Sequence, residues 1–136
     1  METIPDPRTA LSLLVVEDDK VVNEVLRLMI PRKFPAVTIY VADNGKMGLE
    51  LCKEHAPDIV ITDITMPEMD GIRMAEEIKS IKGDTRFIVL SGCCDEIHLD
   101  KLSEIGAIEY IIKPIEFKKL FTAIEKCIAE IAVERQ

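Results

Sequence analysis

The stretch DIVITDITMPEMDG, Asp58 to Gly71, decides the reading of the whole chain. A run of Ile59, Val60, Ile61 and Thr62 has strand composition and ends on a carboxylate, Asp63. Met66, Pro67, Asp70 and Gly71 then break it with turn chemistry. A strand with no alternation is buried on both faces, so it belongs in the middle of a parallel sheet. A carboxylate at the end of such a strand stands where parallel sheets place their ligands.

Working outward, the same grammar recurs. Leu11–Val16 (LSLLVV), Val37–Ala42 (VTIYVA), Arg86–Leu90 (RFIVL) and Ile108–Ile112 (IEYII) read as further strands. Helical periodicity starts at Lys20 and is expected to stop at Pro31. A second helix, capped by Asn44, runs to about His55, with Met47, Leu49, Leu51 and Cys52 as candidate buried positions. A third runs from Gly71 to about Ile81. A weaker, polar fourth runs from Asp95 to about Glu104 and ends at Gly106. The last runs from Phe117 to about Val133, with Phe117, Leu120, Phe121, Ile124, Ile128 and Ile131 at helical spacing.

Five strand–helix repeats predict an α/β, flavodoxin-like (βα)5 doubly wound parallel sheet in the order 2-1-3-4-5. There is no GxGxxG for a dinucleotide-binding sheet. The 136 residues suit one domain, expected over 10–134, after an N-terminal arm (1–9) that carries two prolines and is expected to be flexible.

Composition narrows the function. A net charge of -8 argues against a nucleic-acid-binding surface. No apolar run approaches the length of a membrane span, and the first residues lack the basic and apolar regions of a secretory signal. Cys52, Cys93, Cys94 and Cys127 follow no zinc-ligand spacing and read as reduced thiols of a cytoplasmic protein.

The predicted strand ends deliver Glu17, Asp18 and Asp19 (strand one), Asp63 (three), Ser91 (four) and Lys113 (five). Strands one and three are neighbours in the expected order, so Glu17, Asp18 and Asp63 crowd together. Carboxylates that close repel unless a cation joins them. A hard divalent ion, magnesium, fits an all-oxygen donor set. Lys113 and Ser91 facing that cluster form a cradle for a phosphoryl group. With no Ser/His/Asp triad evident, the expected nucleophile is a carboxylate, Asp63. Asp19 reads as a helix cap rather than a ligand.

LLVVEDD, DIVITDITMPEMDG, VLSG and YIIKP together, in order and each at a strand end, resemble the receiver domains of bacterial two-component response regulators, of the chemotaxis-regulator type. The resemblance covers about Leu11 to Val133. It implies that Asp63 is the phosphoacceptor, and that Glu17, Asp18, Asp63 and the Thr65 carbonyl hold Mg2+. Ser91 and Lys113 then contact the phosphoryl group, and Tyr110 is the rotating aromatic of the switch. It implies a cis peptide between Lys113 and Pro114. The implied partners are a histidine kinase, or a small phosphodonor in its place, and a downstream protein or covalently linked output domain. A phosphorylation-dependent homodimer is a further form such a switch can take. The surface expected to change is that of the fourth helix, the fifth strand and the last helix. Such a protein is a regulatory phosphoacceptor rather than an enzyme on external substrates, and it assists its own phosphorylation and dephosphorylation. The chain departs from many relatives at Ile115, where an aromatic is usual after Lys-Pro, and at Cys93.

Three competing classes are weaker. A flavin carrier needs a Ser/Thr/Gly-rich phosphate loop after strand one, where this chain has Glu17-Asp18-Asp19. An aspartyl-nucleophile phosphatase usually carries Asp-x-Asp after the first strand, whereas here the candidate follows the third. A docking-only pseudo-receiver should lack the acceptor or the lysine, and both are present.

Overall fold

The computed structural model describes residues 11–64, 71–92, 104 and 107–135. Five strands are joined by helices: β1 (Ser12–Val16), α1 (Lys20–Lys33), β2 (Thr38–Ala42), α2 (Gly45–His55), β3 (Ile59–Asp63), α3 (Gly71–Ile81), β4 (Arg86–Ser91), β5 (Ala107–Ile112) and α4 (Phe117–Glu134). All neighbouring strands pair in parallel, in the order β2-β1-β3-β4-β5. This is the expected flavodoxin-like sheet. The helix expected over 95–104 and the residues Thr65, Met66, Pro67, Asp70, Cys93 and Cys94 lie outside the described residues, except for Glu104.

The solid apolar strands have the predicted consequence. Leu14, Val16, Val60, Phe87 and Val89 face one side of the sheet, where they pack with Leu49, Ile72, Met74 and Ile78 of α2 and α3. Leu13, Val15, Ile59, Ile61, Ile88 and Leu90 face the other, against Leu26 and Ile30 of α1 and Leu120, Ile124 and Ile131 of α4. Central strand β3 is buried along its whole length, while edge strand β2 is only half-buried. Each fully buried aliphatic side chain contributes about 1.5–3 kcal/mol of transfer free energy, so the two faces of the sheet dominate stability.

Capping follows the sequence. Asp19 accepts from the Val21 and Val22 amides and opens α1; Asn44 accepts from Met47 and opens α2. Expectation and structure part at Pro31. The helix runs through it to Lys33. A proline costs one intrahelical bond and a clash in mid-helix, but here it stands in the final turn, and Phe34 N–H closes that turn on the Ile30 carbonyl at 2.8 Å. In α2, Leu49 and Cys52 are buried as expected, but Met47 is exposed and Leu51 only half-buried. The buried face of α2 also uses Gly45 and Gly48. A Cβ on Gly48 would stand 2.8 Å from Val16 Cγ2 and 3.0 Å from Met74 Sδ, so α2 approaches the sheet closely there.

The loop after β3 is closed by backbone. Gly71 N–H donates to the Ile64 carbonyl at 2.8 Å, and a Cβ on Gly71 would fall 2.1 Å from the Asp63 carbonyl oxygen. No side chain larger than hydrogen fits at that contact. Helix α3 therefore starts directly against the end of β3.

Candidate functional site

Parallel register brings the carboxyl ends of the strands together. Val16 aligns with Ala42 on one side and Thr62 on the other; Asp63 aligns with Leu90, and Ser91 with Ile112. The residues just past those positions form the site.

Glu17, Asp18 and Asp63 converge, with one carboxylate oxygen of each lying within 4.8 Å of the others. Glu17 is fully buried and Asp63 nearly so, whereas Asp18 is exposed. Lys113 reaches in from the end of β5. Its Nζ donates to Glu17 Oε1 at 2.6 Å and to Asp63 Oδ2 at 2.7 Å. The Lys113–Pro114 peptide is cis, as the resemblance implies. Lys113 N–H also donates to the Ser91 carbonyl at 2.7 Å, which ties the ends of β4 and β5.

The electrostatics are unbalanced. Among the described residues one ammonium faces three carboxylates and bonds two of them, Glu17 and Asp63. Burial pushes the Glu17 carboxyl from 4.5 up to about 7; the nearby Asp63 charge adds to this and Lys113 opposes it. Burial alone would pull the Lys113 ammonium down. Its bonds to Asp63 and Glu17 more than offset that and hold it above the usual lysine value. Glu17 Oε2 is buried with no hydrogen-bond partner among the described residues, and so is Ser91 Oγ. Orphaned buried oxygens are rare, because each costs about 1–3 kcal/mol. An orphaned carboxylate oxygen inside a three-carboxylate cluster fits a hard cation with oxygen ligands, the magnesium the sequence pointed to.

Of the residues expected in the site, Glu17, Asp18, Asp63 and Lys113 come together. Ser91 ends β4, buried. Tyr110 is a half-buried residue of β5, paired with Val89 and packed on the α2/α3 side of the sheet. Thr65 lies outside the described residues. One neighbour was missed by sequence reasoning. Asn23 of α1 is buried, and its side-chain amide donates to the Glu17 carbonyl at 3.1 Å and the Ala42 carbonyl at 3.3 Å. Its signal was available: Asn23, Leu26 and Ile30 are the buried residues of α1, so a polar side chain stands at core spacing.

Residues 13–125 match the family described as the response regulator receiver domain. The chain belongs to this family. The receiver domain is 35% identical over 119 residues to the probable C4-dicarboxylate response regulator DctR of Bacillus subtilis, covering 88% of this chain and 53% of that protein. It is 35% identical over 115 residues to the chemotaxis protein CheY of Bacillus subtilis, covering 84% of this chain and 94% of that one. The chain thus spans about half the length of its DctR relatives and nearly all of CheY. Among solved structures, it resembles the N-terminal domain of an uncharacterized protein from Wolinella succinogenes, with a TM-score of 0.84 and 34% identity over 93% of this chain and 100% of that chain. A response regulator receiver domain protein from Clostridium thermocellum gives a TM-score of 0.79 at 27% identity, over 88% and 95%. Among the described residues of the receiver domain, no helix is long and apolar enough to cross a membrane.

Proposed function

We propose that this receiver domain, over residues 10–134, is a magnesium-dependent phosphoacceptor switch with Asp63 as its acceptor. The observation that carries the proposal is the Lys113 ammonium bound to both Asp63 and Glu17 at the centre of the three-carboxylate cluster. An Asp63 oxygen attacks the phosphorus of a phosphohistidine on a histidine kinase, or of a small acyl phosphate. The bond from phosphorus to the donor breaks, and the donor atom leaves with the electron pair. Lys113 then balances the added charge, and its reach to both Asp63 and Glu17 lets it follow either oxygen set. Mg2+ held by Glu17, Asp18, Asp63 and the Thr65 carbonyl would supply positive charge against the phosphoryl oxygens.

The Ser91 hydroxyl, buried with no partner among the described residues, is a donor ready for a phosphoryl oxygen. Its inward turn frees space for Tyr110 and alters the surface formed by the segment 95–104, β5 and α4. That surface then selects a downstream protein, a linked output domain or a second copy of the chain. The DctR relatives, about twice as long, support a linked output. The domain acts in the cytoplasm as a regulator that assists its own phosphorylation and dephosphorylation, binding neither nucleic acid nor membrane itself. Incubation with acetyl phosphate and magnesium should add one phosphoryl group to the wild type and none to Asp63→Asn, read by intact mass. Equal labelling of the two proteins would remove Asp63 as the acceptor.

A further inference from the structure

Three like charges crowded at one point need something to hold them there. Glu17 and Asp63 share Lys113. Asp18 has no ion pair or side-chain hydrogen bond among the described residues, so its place depends on the turn that carries it. Past the last β1–β3 pair, Val16 with Thr62, the backbone of that turn is tied to the end of β2. Glu17 N–H donates to the Ala42 carbonyl at 3.1 Å. The Asn23 amide supplies the rest of the anchor. It bonds the Glu17 carbonyl and the Ala42 carbonyl, and Asp43 Oδ1 stands at 3.5 Å, the outer edge of hydrogen-bond reach. A carboxamide NH2 has two donor hydrogens, and two carbonyls on neighbouring segments use both. Asn23 touches none of the three carboxylates of the cluster. It grips the peptide that positions two of them.

We propose that Asn23 is a positioning residue for the cation site, clamping the Glu17–Asp18 turn to the end of β2 so that the acidic pair is held at ligating distance from Asp63. The inference rests on the cation site proposed above. Without the amide, two buried carbonyls lose a donor and the turn drifts under the mutual repulsion of its charges. The loss falls on cation affinity, because Asp63 and Lys113 are held by other strands.

The test compares Mg2+ binding by calorimetry, and by displacement of Mn2+ in electron paramagnetic resonance, in wild type, Asn23→Ala, Asn23→Ser and Ile30→Val. Ile30 shares the buried face of α1 with Asn23 but lies two turns away, so its variant reports a loss of packing alone. Asn23→Ala should weaken Mg2+ about 10- to 100-fold, the range found when a group behind a metal ligand is removed. Ile30→Val should bind as the wild type does. In labelling with acetyl phosphate, the half-saturating Mg2+ concentration should rise for Asn23→Ala while the rate at saturating Mg2+ is kept. Asn23→Ser, shorter and with a single donor, should fall between the two, and it carries the test if the alanine variant does not fold. Wild-type affinity in the folded Asn23 variants would overturn the proposal, as would equal weakening in Ile30→Val. If Glu17→Gln binds Mg2+ as well as the wild type does, the cation site itself is misassigned and the proposal falls with it; normal loss in Glu17→Gln with none in Asn23→Ala rejects Asn23 alone.

Discussion

Strand β3 is bracketed by two aspartates with opposite circumstances. Asp58 lies just before it and Asp63 at its end. At the lower end of the sheet, Asp58 accepts from Ser12 N–H at 3.0 Å and pairs with Lys82 at 3.0 Å and with Arg135. Next to it, Arg86 of β4 bonds both Glu130, at 3.3 Å, and Glu134 of α4. Every carboxylate in this lower group has a cationic partner. Burial pushes Asp58 up, but the Ser12 amide, Lys82 and Arg135 outweigh it and hold the carboxyl below its usual value. At the upper end, among the described residues, one lysine faces three carboxylates and a Glu17 oxygen has no partner, and Glu17 is pushed up to about 7. The same residue type on the same strand thus anchors the fold at one end and stores unmet charge at the other.

Substitutions should have opposite signs at the two ends. Asp58→Ala removes the common partner of Lys82 and Arg135 and should cost about 3 kcal/mol, read as a lower urea midpoint. Glu17→Gln removes a charge that folding desolvates. In magnesium-free buffer at pH 8 it should raise stability by about 1–2 kcal/mol. A loss there comparable to that of Asp58→Ala would break the comparison.

The pH dependence sharpens it. Glu17 holds its proton more tightly folded than unfolded, so its contribution to stability falls as pH rises from about 4.5 to about 7 and is level above. Asp58, with a lowered folded value, contributes fully above its unfolded value, and that contribution is lost as pH falls through the folded one. Wild-type urea midpoints without magnesium should therefore decline between those two pH values relative to Glu17→Gln. Added Mg2+ should raise the wild-type midpoint more at pH 8 than at pH 6, because the Glu17 proton must leave before the cation binds. The smallest effect belongs to Asp84, whose side chain is 68% exposed although its carboxylate lies 3.4 Å from Lys82. Asp84→Ala should shift stability by less than about 0.5 kcal/mol.

The upper end was legible in the sequence and the lower end was not. Glu17, Asp18, Asp63 and Lys113 each stand at the end of an apolar strand, so once the strand order is known their meeting is fixed by topology. The lower network joins residues such as Asp58 and Arg135, 77 positions apart, through the end of a long helix, and no local pattern announces where that helix's last turn lands. Pro31 misled because a helix stop and a tolerated final-turn proline look alike until the end of α1 is seen. Asn23 escaped notice because a polar residue on an amphipathic helix is ordinarily solvated; only its spacing from Leu26 and Ile30 marks it as inward-facing.

The contact between Gly71 and the Asp63 carbonyl has a consequence for how this sequence can vary. Charges in the upper cluster can be exchanged for isosteres that lose chemistry but keep the chain foldable. At residue 71 the carbonyl already occupies the space of any added carbon. Mutational drift is thus confined more tightly at a residue whose whole side chain is one hydrogen atom than at the charged residues beside it.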